Sequence, residues 1–247
     1  MCDHCVSRRS FLGLMPAALI PRRVTETMQW VEPLFHRRPS PEGMARVALT
    51  LDACPGQLDR RITDVLVSER VKATIFMTER WMLRNPDGLA LLLDHPDLFA
   101  IENHGARHVP PVLGSGTMYG LAIAGTLENV RREVVDGAAA IKAATGVRTS
   151  WYRGATARYS PAAISEIERL GFRIAAYSLS ADRGASLPAV TVTRRMARSE
   201  DGEVIIGHMN QPGRSSGEGI VHGIVALRRA GFSFEHLNEV DPMATMG

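Results

Sequence analysis

The sequence predicts an α/β protein with a mostly parallel sheet or barrel, and three observations support this. Short apolar runs alternate with amphipathic runs along residues 46–230. Glycine or proline marks the ends of several of these runs, as at Gly146, Pro161 and Gly171. The chain has 247 residues, of which 45% are hydrophobic, which suits one large domain with a substantial core.

Each apolar run predicts a strand, and each run with helical spacing predicts a helix. The strands are expected at residues 46–51, 73–78, 98–102, 147–153, 172–179 and 204–208. The helices are expected at residues 57–70, 85–93, 121–145, 160–170, 190–199 and 217–230. Strands that alternate with helices form βα units, in which successive strands lie parallel.

The first 44 residues are predicted to be a signal-like leader and linker, followed by one catalytic domain at residues 45–240. Ser7-Arg8-Arg9-Ser10-Phe11-Leu12 resembles a twin-arginine export signal and precedes a short apolar run, which predicts a periplasmic or secreted protein. The alternative is a disordered arginine-rich tail. Cys2 and Cys5 form one thiol pair without a second, so an unstructured leader is favoured over a zinc site. The sequence contains no run of 18 apolar residues, so no membrane-spanning helix is predicted.

The net charge of +3 belongs to the leader and linker. Residues 1–38 hold six arginines against three acidic residues, and the remainder is balanced at 23 of each sign. A neutral domain lacks the basic face expected of a nucleic-acid-binding protein. It tolerates a neutral substrate such as an acetylated sugar.

Polar side chains follow the ends of the predicted strands, where parallel α/β folds gather their active sites. These residues are Asp52, His104, His108, Arg153, Ser180, Asp182 and His208. Two imidazoles four residues apart can reach one metal ion, from a helical turn or from a loop. A strand-end carboxylate can accept a proton, and a strand-end histidine can donate one. The alternatives are a helix cap for Asp52, hydrogen-bonding or core histidines, and a surface arginine.

Four segments of the sequence resemble the motifs of the polysaccharide deacetylases, the NodB type of carbohydrate esterase. They are Val47–Gly56, Glu102–His108, Tyr152–Thr156 and Ile205–His208. Together they span nearly the whole domain in the order of the family. The resemblance implies a distorted (β/α) barrel, a divalent metal that is often zinc, and hydrolysis of N- or O-acetyl groups on a polysaccharide or oligosaccharide.

The resemblance also implies roles for individual residues. His104 and His108 would bind the metal, with Asp52 as a further ligand or as the base. Arg153 would hold Asp52, and His208 would protonate the leaving group. Thr156 and Tyr159 would contact the substrate or its oxyanion.

Two positions depart from the family pattern. Ala53 stands where the family has a second, metal-binding aspartate, so Asp52, Cys54 or Asp59 would have to replace it. Ser180 matches the aspartate that pairs with the acid histidine. Two other functions therefore stay open: a degenerate family member that binds glycan without cleaving it, and an amidohydrolase that acts on a small molecule.

Overall fold

A computed structural model describes residues 29–37, 43–239 and 242–245. The predicted export signal and the Cys2–Cys5 pair lie outside these residues. Within the described part of the chain, no helix is long and apolar enough to cross a membrane.

In the part of the chain that the structure describes, the core of the fold is a curled sheet of eight parallel strands. Its strands are β2 (Arg46–Ala53), β3 (Ala73–Met77), β4 (Phe99–Asn103), β7 (Trp151–Tyr152), β8 (Arg173–Ile174), β9 (Leu179–Ser180), β10 (Val204–His208) and β11 (Ser233–Glu235). Seven of them follow the order β8-β7-β4-β3-β2-β10-β9, and β11 pairs with the first residues of β2. All of these pairs are parallel, as the βα alternation predicts. This is the predicted distorted (β/α) barrel.

Within the described residues, seven helices connect and cover the strands. They are α1 (Arg60–Ser68), α2 (Glu79–Arg84), α3 (Pro86–Leu93), α4 (Leu127–Thr145), α5 (Pro161–Arg169), α6 (Ala189–Met196) and α7 (Ser216–Arg229). Single 3₁₀ turns lie at Ala155–Ala157 and Leu237–Glu239. Six of the seven were expected from helical periodicity. Helix α2 was not, because six residues are too few for periodicity to distinguish it from a loop.

The side chains of β2 alternate between two environments. Val47, Leu49, Leu51 and Ala53 belong to the main hydrophobic cluster, together with residues of the covering helices. Thr50 and Asp52 face the other way, toward the inside of the curled sheet, where both bond to Arg153. This alternation places the carboxylate of Asp52 in the site and the methyl group of Ala53 in the core.

The structure corrects three predicted elements. The helix expected at 121–145 begins only at Leu127, because Thr126 caps it by accepting a hydrogen bond from the amide of Asn129. A two-stranded hairpin, β5 (Thr117–Met118) with β6 (Leu121–Ala122), precedes it. The strand expected at 147–153 shrinks to β7, and the one at 172–179 divides into β8 and β9.

Part of the predicted linker packs against the domain. Strand β1 (Leu34–Arg37) pairs antiparallel with β12 (Pro242–Thr245), and Val31 bridges to Tyr159. Phe35 is buried against Trp151, with ring centroids 5.8 Å apart in an edge-to-face arrangement. The ordered contacts therefore begin before residue 45.

Candidate active site

A cleft of about 1220 Å³ opens where the parallel strands end. Its lining includes Asp52, Cys54, His104, His108, Thr156 and His208. The structure therefore brings the predicted aspartate and all three predicted histidines into one place, although they are separated by up to 156 residues in the sequence. Arg153 lies directly beneath them.

Arg153 and Asp52 form a buried ion pair at the base of the site. The Nη1 atom of Arg153 donates to Oδ1 of Asp52 at 2.9 Å and to Oγ1 of Thr50 at 2.9 Å. Its Nε atom donates to the carbonyl of Ala175 at 3.1 Å, and its guanidinium lies 4.3 Å from the ring centroid of Phe76. A guanidinium held by this many contacts fixes the direction of the carboxylate.

The charges around Asp52 keep it ionised. Burial by itself raises the pKa of Asp52, but Arg153, His104 and His208 together lower it below the usual value. The second oxygen, Oδ2, lies 3.7 Å from Nε2 of His104 and 4.0 Å from Nε2 of His208. A carboxylate with one fixed oxygen and one oxygen facing the imidazoles is suited to accept a proton there.

His104 and His108 lie on a loop rather than on a helical turn. Their rings are 5.0 Å apart between centroids. Gly105 permits this loop: it has φ +86°, and a Cβ atom there would lie 2.4 Å from a carboxylate oxygen of Glu133.

The carboxylate of Glu133, on α4, holds the histidine loop in place. Its Oε1 atom accepts hydrogen bonds from the amides of Arg107 at 2.8 Å and Val109 at 3.1 Å. The side chain of Asn103 contributes from the other end, because its oxygen accepts from the amide of Gly105 at 2.8 Å. Asn103 belongs to the second motif, but nothing in the sequence indicated that Glu133 contributes to the site.

The donor atoms around the histidines are suited to a divalent metal. The ligand atoms of Cys54, His104 and His108 all lie within 4.8 Å of one another, and those of Asp52, Cys54 and His208 form a second such group. The Nδ1 atom of His104 lies 2.7 Å from the carbonyl of Arg153, so Nδ1 carries the hydrogen and Nε2 is left to bind a metal. Asp59, a further candidate ligand, is engaged elsewhere, since it caps α1 and pairs with Arg61.

The pKa values of His104 and Cys54 are shifted in opposite directions. Burial lowers the pKa of His104, but Asp52 and Cys54 raise it, and the result is a pKa of about 9. Burial raises the pKa of the Cys54 thiol, but His104 and His108 hold it well below the usual value. The thiol therefore readily becomes a thiolate, which is the form that binds metals.

Asp182, rather than Ser180, is the partner of His208. The Nδ1 atom of His208 lies 2.9 Å from Oδ1 of Asp182, and the amide of His208 donates to Oδ2 at 2.8 Å. Ser180 instead accepts a bond from Arg195 through its carbonyl. Burial lowers the pKa of His208, but Asp182 raises it well above the usual value, so the imidazole carries a proton at neutral pH.

Thr156 and Tyr159 occupy different places. Thr156 lines the cleft with φ +69°, and its hydroxyl contacts the sulfur of Met118. Tyr159 is fully buried behind the cleft, where its hydroxyl accepts a hydrogen bond from the amide of Gly154 at 2.8 Å. Tyr159 does not line the cleft and therefore supports the loop after Arg153 instead of contacting a substrate.

Backbone strain is concentrated at the cleft. Five of its lining residues that are not glycine have positive φ: His108, Tyr119, Thr156, Ala157 and Arg183. Such conformations cost about 1–3 kcal/mol each and persist where the surrounding structure imposes them, often at functional sites.

Comparisons with known proteins agree with this arrangement. The sequence profile of the family described as polysaccharide deacetylase matches residues 40–175, more than half of the chain. No curated protein matches the sequence.

Several solved structures share the fold. PdaA from Bacillus subtilis, a family 4 carbohydrate esterase, has a TM-score of 0.66 at 18% identity, over 85% of this chain and 84% of that one. A family 4 pseudoenzyme from Bacillus anthracis has a TM-score of 0.64 at 19% identity, over 83% of this chain and 67% of that one. A Streptomyces lividans family 4 esterase in complex with acetate has a TM-score of 0.62 at 18% identity, over 78% and 93%.

These identities are low enough that the structural likenesses speak for the fold alone. The profile match supplies the family, and the curled parallel sheet agrees with it. The chain belongs to the polysaccharide deacetylase family.

Proposed function

We propose that this protein is a metal-dependent hydrolase that removes N- or O-acetyl groups from a polysaccharide. The observation that carries the proposal is the placement of a carboxylate and an imidazole at one cleft, each held by a charged partner. Oδ2 of Asp52 lies 4.0 Å from Nε2 of His208. Against the effect of burial, Arg153 lowers the pKa of Asp52 and Asp182 raises the pKa of His208. Pairs of groups whose environments drive their pKa values apart are typical of acid–base catalysis.

Asp52 is the proposed general base. Arg153 holds Oδ1, which leaves Oδ2 to take a proton from a water molecule in the cleft. Because the guanidinium is itself held by Thr50 and Ala175, the carboxylate is oriented before the substrate arrives.

His208 is the proposed general acid. Asp182 accepts from Nδ1 and so directs Nε2 into the cleft, where a leaving amine or alcohol would receive its proton. Thr156 also lines the cleft, and its amide is the proposed hydrogen-bond donor to the developing oxyanion.

His104 and His108 are the proposed metal-binding residues, and zinc suits their imidazole donors. A divalent metal bound there would polarise the acetyl carbonyl and lower the pKa of water. The carbonyl of Arg153 fixes the ring of His104 for this purpose, and the loop held by Glu133 fixes His108.

The test is release of acetate from acetylated oligosaccharides by the full-length protein. We expect the metal-loaded protein to release acetate, the chelated protein to lose at least about 100-fold in kcat, and zinc to restore it. Binding of the oligosaccharide without acetate release would instead identify a degenerate glycan-binding protein. Equal turnover of an acetylated monosaccharide and a hexasaccharide would identify a hydrolase that acts on small molecules.

A further inference from the structure

We propose that the thiolate of Cys54 is the third protein ligand of the metal, beside His104 and His108. This rests on the proposed function only in that both need a metal in the site. Cys54 would replace the ligand that is absent at Ala53, where the family pattern has a metal-binding carboxylate.

Position 53 supplies no ligand atom in this chain. Ala53 is fully buried in the main hydrophobic cluster, on the face of β2 opposite to Asp52. A carboxylate there would replace a methyl group among apolar side chains. The strand ends at Ala53, and the next residue is the first whose side chain returns to the side of the cleft.

Cys54 has the position and the surroundings of a ligand. Its Sγ atom lies 3.3 Å from Nε2 of His104, and Cys54, His104 and His108 form one of the two groups whose donor atoms lie within 4.8 Å. Cys54 is 8% exposed and borders the cleft, so the thiol is shielded from bulk solvent but reaches the site. Two imidazoles and one thiolate, with a fourth position open, form a donor set that suits catalytic zinc.

One rival role for the same thiol is nucleophilic catalysis. Cys54 also lies within 4.8 Å of His208, and His208 is bonded to Asp182, which is the arrangement of a Cys-His-Asp triad. The position of Sγ beside Nε2 of His104, the nitrogen left free by the Arg153 carbonyl, favours the ligand role.

The experiment uses the full chain with Cys2→Ser and Cys5→Ser as the parent, so that Cys54 is the only thiol. Cobalt is loaded in place of zinc, and the near-ultraviolet absorption of a cobalt–thiolate bond is recorded. We expect the parent to show this band and Cys54→Ser to lose it, with metal affinity at least about 10–100-fold weaker. Cys54→Asp should lose the band but keep stoichiometric metal and acetate release.

Three results would overturn the proposal: no thiolate band in the parent, a band that persists in Cys54→Ser, or unchanged metal affinity in that variant. Metal-loaded Cys54→Asp without activity, together with an acetyl thioester trapped on the parent, would assign the nucleophile role instead. The thiolate band and the metal affinity are measured without substrate, whereas the activity of Cys54→Asp and the acetyl thioester need one. A thiolate band in a protein that releases no acetate would therefore reject the proposed function and keep the ligand.

A different observation, the charge of the cleft, carries a second inference. Five arginines line the cleft: Arg80, Arg107, Arg158, Arg183 and Arg195. The acidic residues of the lining are Glu32 and Asp52. Since residues 39–247 as a whole are balanced in charge, this excess of arginine is local.

Two of the five arginines are neutralised by the protein itself. Arg158 pairs with Glu32 at 2.8 Å, and Arg107 lies 3.6 Å from Glu133 and 3.5 Å from Asp136. Asp52 is paired with Arg153. Across residues 29–37 and 43–239, no carboxylate lies within 4.0 Å of Arg80, Arg183 or Arg195.

We infer that the substrate is an anionic acetylated glycan, one whose sugar units carry carboxylates, rather than a neutral chitin-like polymer. This inference rests on the proposed function. Unpaired guanidinium groups along a cleft attract and orient carboxylates, and Arg80 and Arg183 are exposed enough to reach a bound chain.

The test compares two acetylated oligosaccharides of equal length, one neutral and one with a carboxylate on alternate units. We expect the anionic one to have a lower KM and tighter binding, both weakened by added salt. Arg80→Gln with Arg183→Gln should raise its KM by about three- to tenfold more than that of the neutral one. Arg229→Gln, an exposed arginine at the end of α7, is the matched control and should change neither.

Equal KM values for the two oligosaccharides, or a preference unaffected by salt and by the double variant, would overturn the inference. Calorimetric binding of both oligosaccharides is measured as well. A binding preference for the anionic one without acetate release from either would contradict the proposed function and leave the charge selectivity standing.

Discussion

Replacing His104 or His108 by alanine is expected to remove the metal and the deacetylase activity together. Each variant would leave at most one imidazole in the group formed with Cys54, too few protein ligands for a catalytic metal. The loss should exceed that caused by a change to a residue that only orients a ligand, which costs about 10–100-fold in metal affinity. Metal content after dialysis and acetate release from the same samples measure the two effects.

His222→Ala is the matched control for this prediction. His222 is exposed on α7 and does not line the cleft, so the variant should keep full metal content and activity. Thermal unfolding of all three variants shows whether the fold is retained. Metal bound at parental affinity in both the His104 and the His108 variant would remove these residues from the ligand set.

Replacing His208 by alanine is expected to lower kcat by about 10²–10⁴-fold while the metal stays bound. The physical reason is that His208, which bonds to Asp182, is the proposed proton donor to the leaving group, whereas His104 and His108 are the proposed metal ligands. Normal turnover by the His208 variant, or loss of its metal, would contradict the assignment.

Asp182→Asn tests how the acid is tuned. Asp182 raises the pKa of His208, so activity should decline only as the pH rises through that raised value and the imidazole loses its proton. Without the carboxylate, the pKa of His208 falls, and the alkaline decline of kcat should move to lower pH. An unshifted alkaline limb would mean that another group supplies the proton.

The local sequence pattern predicted the strands that carry Asp52 and His208. β2 and β10 were expected from their apolar runs, and both are present, with His208 directly opposite Asp52 in the parallel register. Alternation along a strand is a local property, so the sequence predicts which residues share a face. The prediction was less accurate where the apolar pattern is weak. Of the seven residues predicted as a strand at 147–153, only two form β7.

The partners of the site residues could not be read from local patterns. Glu133 is a polar residue on a long amphipathic helix, and only the packing of α4 against the histidine loop gives its carboxylate a role. Tyr159 follows the third motif closely, yet its side chain turns behind the loop to support Gly154.

The sequence by itself determined the alternation of strands and helices, the family, and the set of polar residues at the strand ends. Only the tertiary structure decided that Asp182 takes the place expected of Ser180, and that Cys54 rather than Ala53 lies beside the histidines. The physical reason is the distance along the sequence over which each effect acts. Periodicity and turn residues act over a few neighbours along the chain. The contact between Cys54 and His104 instead depends on the strand order, on which residues of β2 face the cleft and on where that strand ends.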